Sequence, residues 1–542
     1  MAQWNKNTQN YRSIGGQSHD TTLHEVFMRA DQYGNILNEG ATHRSAFGEQ
    51  IAIPITPVIQ LDGLYGLQAR NFETFDAFGG SADTTNTLMR TQTGTSQYGY
   101  GVIRSRRAVR YRPGQGAICR FTAAFTESAP GVGVAGYTQR AGFFTQEQAI
   151  QVGFDGENFG VLRQNGGKAH IEKITITTGA NSSGNVTVTL NGTPYVVPLA
   201  NTTSNVGITA AEISEWFQAN ASAAWVVEHC DGIVTFLSTS VGPKNGTYSF
   251  VDTGTTGTVA SLTTLQSGVF DTNNWTYQDD FNIDKLDGTG PSKVTIDTTK
   301  LNIYQINFRW LGAGEIRFAI ENPTNGDMIF FHHIHYSNRN TDVHIDNPSL
   351  KVGYVAASLG GTGTNVTVTG GSIMGGIEGL IQSNSLPTAA LRSTEHNPNL
   401  GANLLHHGVT VHNRLIFNDK INSRELLIKA VSVSVDTNTN GNPVEVLLFY
   451  NFDGLPSPSV YKVLNLIESA AFYNDTVGSM TQGTNIPIYA FFTAGQQAET
   501  IDLDAAASGL RIAIPPNNDI TLAIRSTDTL SRVGVAISFI ED

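Results

Sequence analysis

Apolar and polar residues alternate one by one along many short stretches of this chain. In VGVAISF, Val533, Val535, Ile537 and Phe539 fall on one side of an extended backbone. The same holds for Tyr304, Ile306, Phe308 and Trp310 in YQINFRW, and for Val431, Val433 and Val435 in VSVSV. A side-chain period of two predicts half-buried strands of antiparallel sheets. Turn signals separate them: Asp155-Gly156, Asn191-Gly192, Asn440-Gly441 and PPNND at 515–519. Many short strands at close spacing, in a chain with 56 glycines, predict a mainly β, multidomain protein of antiparallel β-sandwich or jelly-roll domains.

One segment changes period. ITITTGANSSGNVTVTLNGTPYVVPL reads as strands around an Asn-Gly hairpin, and TAAEISEWFQAN follows it. There Thr209 and Glu212 are spaced as a capping box, and Ile213, Trp216 and Phe217 share one helical stripe. Residues 170–270 are therefore expected to form a small α+β module inserted into one β-sandwich made of 46–169 and 271–383. Such an insertion is tolerable because loop-closure entropy grows slowly with length. Residues 1–45 read as an extended polar arm ordered by a neighbour, 384–401 as a linker, and 402–542 as a C-terminal β-sandwich.

Composition narrows the function. The 542 residues are 40% hydrophobic, enough for several packed cores. With 46 acidic against 33 basic residues the net charge is -13, the opposite of what phosphate neutralisation requires, so no nucleic-acid partner is expected. The two cysteines, Cys119 and Cys230, make neither a disulfide framework nor a zinc site. MAQWNKNTQN lacks the apolar core of a signal peptide and no run approaches a membrane span. Synthesis in a reducing cytoplasm, without membrane insertion, is the expectation.

RSRRAVRYRPGQG, 104–116, sets five arginines within nine residues of this acidic chain. Read as a strand, it puts Arg104, Arg106, Arg110 and Arg112 on one face with Ala108. Ile103, Val109 and Tyr111 take the other face, interrupted by Ser105 and Arg107. Like charges roughly 7 Å apart along a strand repel, so carboxylate partners are expected, within the sheet or across a subunit contact. An anionic glycan and nucleic acid are the rival counter-ions.

Histidines cluster in FFHHIHYSNRNTDVHID and in LLHHGVTVH. His333 and His335 would share a strand face within reach of one metal ion, but no carboxylate or cysteine completes a set at a recognised spacing. They are expected to make interface hydrogen bonds, and acid would charge such an interface. DDFNIDKLDGTG begins like a calcium loop with Asp280, Asn282, Asp284 and Asp287, yet Lys285 replaces the turn glycine and Pro291 the closing Glu. No nucleophile elbow, P-loop, dinucleotide fingerprint or HExxH is present. Glu315 and Glu321 are the one carboxylate pair that a glycoside-cleaving reading would use.

Four phrases carry a resemblance: HRSAFGEQIAIPITPVIQLDGLYG (43–66), YRPGQGAICRFTAAF (111–125), VGFDGENFGVLRQNGG (152–167) and LDGTGPSKVTIDTTKLNIYQINFRWLGAGEIRF (286–318). Together they resemble a recurrent type of virion structural protein of tailed phages, notably marine ones, and of large DNA viruses. The insert resembles a small module of phage tail and surface proteins. The resemblance spans roughly residues 20–380 and brings no catalytic motif with it. It implies a non-enzymatic building block of the virus particle, made in the host cytoplasm, with other virion proteins as partners and no cofactor or metal. A tail or baseplate position and a homo-oligomer, trimer first, are the expectation. The alternatives are a head-attached spike or decoration protein, or a β-sandwich binding host surface glycans near Tyr461, Tyr473 and Phe491.

Overall fold

The computed structural model describes residues 55–379 and, with short gaps, 404–541. Outside these it gives only the backbone of four short strands, Tyr11–Ile14, Val26–Ala30, Ile36–Leu37 and Thr394–His396. The expected arm at 1–45 and linker at 384–401 therefore lie largely outside the described residues, as does the turn Asn440-Gly441. The first three short strands pair antiparallel with one another. Thr394–His396, inside the expected linker, pairs with the C-terminal strand Leu530–Glu541.

The chain is mainly β, 54% strand and 4% helix, and its sheets are antiparallel. Two sheets of seven and nine strands face each other across the first core. The strand Ala117–Phe125 runs through the middle of the larger sheet, bonded to Asn302–Phe308 on one side and to both Thr367–Gly370 and Ser372–Glu378 on the other. Its residues Cys119, Phe121, Ala123 and Phe125 point inward, all at most 4% exposed. In the smaller sheet Tyr137–Phe144 lies between Ala149–Asp155 and Lys351–Ser358. The alternation read at Tyr304, Ile306 and Phe308 is buried as expected. Trp310 lies past the strand end and donates its indole N–H to the Ile345 carbonyl, at 2.7 Å.

The insert leaves the smaller sheet between two paired strands, Asn158–Asn165 and Thr272–Tyr277. Lys168 and Val269 bond each other's backbone at 3.0 Å and close its neck. Within it, sheets of four and three strands enclose an apolar core with the one described helix, Val206–Asn220. The expected capping box is corrected: the helix begins four residues earlier, capped by Asn205, whose Oδ1 accepts the Ile208 N–H at 3.1 Å. Thr209 instead accepts the Ala180 N–H and donates to the Asn205 carbonyl, and Glu212 accepts the Ala200 N–H. Ile213 and Phe217 are buried, as the stripe required.

Residues 404–541 form a second sandwich. Its core includes the alternating set Val431, Val433 and Val435 beside Val533, Val535, Ile537 and Phe539 on the paired strand, packed against Val409, Val411, Val446 and Leu522 of the other sheet.

Candidate functional site

The arginine segment does not form one face. The strand Tyr100–Ser105 ends one residue after Arg104, and the chain then leaves the sheet ladder, pairing with Leu350 through the isolated bridge at Val109 before the turn at Pro113-Gly114. The expected shared face of Arg104, Arg106, Arg110 and Arg112 is corrected by this early exit, since only Arg104 lies on the strand, and Arg104 and Arg106 meet different partners. Arg104 Nε donates to Glu73 Oε2 at 2.7 Å on the next strand, and its guanidinium lies 4.7 Å from the Phe75 ring. Lys351, on the other flanking strand, donates to the same oxygen at 2.8 Å. Arg106 donates to the Ala69 carbonyl and, at 3.1 Å, to Asn518 Oδ1 of the C-terminal sandwich. Arg110 and Arg112 are half-buried on the irregular stretch around the turn. Arg107, which alternation placed on the other face, makes an ion pair between the two sandwiches: its guanidinium grips Glu425 with contacts of 2.9 and 3.1 Å.

Burial alone would raise the Glu73 carboxyl, but Lys351 and Arg104 overcome this and hold its pKa down to about 2. Replacing Glu73 by Gln leaves two largely buried cations together without a counter-charge. The expected cost is about 3–5 kcal/mol, a fall of roughly 10 °C in the melting of the first sandwich. A Tm change under about 2 °C, which corresponds to less than about 1 kcal/mol, would show that the triad contributes little.

A second polar assembly joins the insert to the C-terminal sandwich. Glu228 reaches out of the insert strand Trp225–Cys230 and accepts two backbone N–H groups, from Leu415 at 2.6 Å and Ile416 at 3.0 Å. His412 lies between Glu228 at 3.8 Å and Asp519 at 3.9 Å, beyond hydrogen-bond distance but within ion-pair range. Burial pulls its pKa down, and the two carboxylates more than reverse that, holding it up at about 9. Beside it His229 is buried and paired with the Ser459 carbonyl at 2.6 Å; desolvation keeps this ring neutral, with its pKa lowered to about 4. Asp231 N–H bonds the Tyr461 carbonyl at 2.7 Å, which places Tyr461 at the joint. Burial, with Asp231 and Glu228 nearby, pushes the Cys230 thiol far up, out of the range of a nucleophilic thiolate. The expected polar strand histidines of LLHHGVTVH thus include one charged residue that fastens two modules together.

The third assembly lies on the outer face of the larger sheet. His333 is on the strand Met328–Ile334, and His335 lies just past its end. Both turn Nδ1 towards one oxygen, Glu315 Oε1, at 3.0 and 3.4 Å. Arg317 holds the other oxygen, Oε2, at 2.6 Å. No carboxylate at a recognised sequence spacing completes the histidine pair, but in space Glu315 does so from just before the neighbouring strand Ile316–Glu321. Burial would raise the Glu315 carboxyl, but hydrogen bonds from His333 and Arg317 and their charges bring its pKa down to about 2. It is unsuited to general-acid duty, and Glu321, six residues along the same extended chain, lies on the order of 20 Å away, too far for a glycosidase pair. The calcium reading is also dismantled. Asp284 accepts the Leu286 and Ser292 N–H groups, Asn282 bonds the His333 backbone, and Asp287 caps Thr289.

Among the described residues no helix is long and apolar enough to cross a membrane. No family model matches the chain, and no curated protein matches it. Among solved structures, a lectin from Bauhinia forficata in complex with GalNAc is similar over 59% of this chain and 97% of that chain, at 10% identity and a TM-score of 0.19. A likeness this loose bears on neither mechanism nor ligand.

Proposed function

We propose that this chain is a non-enzymatic structural protein of a virus particle, belonging to the tail or baseplate region and working as a symmetric homo-oligomer, a trimer first. The observation that carries the reading is the way its charged residues are spent. Arg106 and Arg107 tie the first sandwich to the second, and Glu228, His412 and His229 tie the insert to the second. Three modules so fastened make one rigid block, which suits a subunit that bears mechanical load and stacks by symmetry. The described parts of the phrases that carry the resemblance include framework strands of the first sandwich, among them its middle strand Ala117–Phe125, the neighbouring Asn302–Phe308 and much of the hairpin from Ala149 to Asn165. Edge strands such as Thr272–Tyr277 end their sheets and offer backbone groups to a neighbouring copy.

Light scattering on the purified full-length chain tests the oligomer: one closed species at three chain masses is expected. A monomer that binds defined sugars on a glycan array would favour the glycan-binding alternative instead.

A further inference from the structure

We propose that Glu315, His333 and His335 form a binding site for a divalent transition-metal ion, zinc by the chemistry of its ligands, with the remaining coordination position open to water. The three candidate ligand atoms all lie within 4.8 Å of one another. Two of the separations, 3.0 and 3.4 Å from Glu315 Oε1 to the Nδ1 atoms of His333 and His335, bracket the edge of about 3.3 Å expected for a tetrahedron with zinc–ligand bonds near 2.0–2.1 Å. An ion at the centre would replace the protons that now lie between these atoms, and the side chains need move little.

The supporting shell is in place. Arg317 engages only Oε2 of Glu315, so Oε1 stays turned towards the two rings. Asn282 locks the backbone of His333 from both sides, accepting its N–H at 2.9 Å and donating to its carbonyl at 2.8 Å. Glu315 and His333 border or sit on adjacent strands of a nine-stranded sheet, a rigid base for a coordination site. Glu315 and His333 side chains are 17% and 20% exposed, whereas His335 is 51% exposed, so an ion reaches the cluster from solvent past His335. Two imidazoles and one carboxylate suit zinc and its neighbours; calcium and magnesium demand oxygen ligands and are not the expected occupants. The Arg317 charge is matched by Glu315, while Arg309 stands close enough to both to feel their fields, which weakens affinity for a dication without removing the ligand set.

The test is a titration of untagged full-length protein with cobalt(II), followed by competition with zinc. One equivalent per chain, a visible d–d absorption, and its loss on zinc addition are expected. Because His335 is half-exposed, H335A should keep the metal-free melting temperature yet lose the absorption and weaken zinc binding by at least about 100-fold. E315Q should behave likewise towards metal. Equal cobalt binding by wild type and H335A, or none by either, would overturn the site.

Discussion

Replacing His412 by Leu is expected to be the most damaging single change in the joint between the insert and the C-terminal sandwich, costing about 3–5 kcal/mol. The imidazole is enclosed between Glu228 and Asp519, and Glu228 cannot withdraw because its oxygens already hold the Leu415 and Ile416 backbone N–H groups. Leucine matches the volume but leaves two carboxylates facing each other with no cation between them. The effect is pH-dependent in a defined sense. The folded pKa of about 9 lies above the ordinary value of 6.5, so the stabilisation from His412 is fully present below pH 6.5 and is lost as pH rises through 9. That shift corresponds to about 3 kcal/mol. The difference in Tm between wild type and H412L should therefore be widest at pH 6 and shrink by pH 10. Hydrogen exchange should quicken in the strands Trp225–Cys230 and Leu405–Asn413 while the first sandwich stays protected. A pH-independent difference would mean that His412 acts by packing alone.

Between pH 6.5 and 4 the protein should lose roughly 9 kcal/mol of stability through three other histidines. His229, His332 and His344 are each held neutral, chiefly by desolvation, with pKa values lowered from 6.5 to about 4. The unfolded chain binds protons at these rings from pH 6.5 downward and the folded chain does not, so the stability they provide is present above pH 6.5 and disappears as pH falls to 4. His412 does not oppose this, since below pH 6.5 it is protonated in both states. The carboxylates Glu73 and Glu315, with pKa values near 2, act in a lower window, between 4.5 and 2. Denaturant titrations at half-unit pH steps check the slope. H344Q, whose amide can still donate to the Arg309 carbonyl that His344 now contacts at 3.0 Å, should remove about a third of the acid loss. Constant stability from pH 6.5 to 4.5 would contradict this assignment.

These two assemblies were only partly legible in the sequence. Strand alternation was, because a period of two is a local property: Val533, Val535, Ile537 and Phe539 needed no tertiary information to be placed inside. The arginine face was not, because alternation says nothing about where a strand stops: the strand ends at Ser105, and past it the chain pairs with a residue as distant as Leu350, through Val109. The Glu315 cluster turns on register. Counting back from the Glu321–Met328 pair without interruption would set His332, not His333, opposite Arg317. A bulge between Phe318 and Ala319 shifts the ladder by one and brings His333 opposite Arg317, with Glu315 one step beyond the Ile316–Ile334 pair. Nothing in the local sequence announces that bulge. The His412 joint is hidden for a third reason: Glu228 and Asp519 come from different modules, and both look like ordinary surface acids when read singly.

The proposed role in a virus particle is tested most directly by gold-labelled antibody against the insert, residues 170–270, on particles purified from the source of this sequence and viewed by electron microscopy. Label at the tail or its base, with the chain present in the particles' mass spectrum, is the predicted result. Absence of label from intact and disrupted particles, with the chain missing from their mass spectrum, would contradict it.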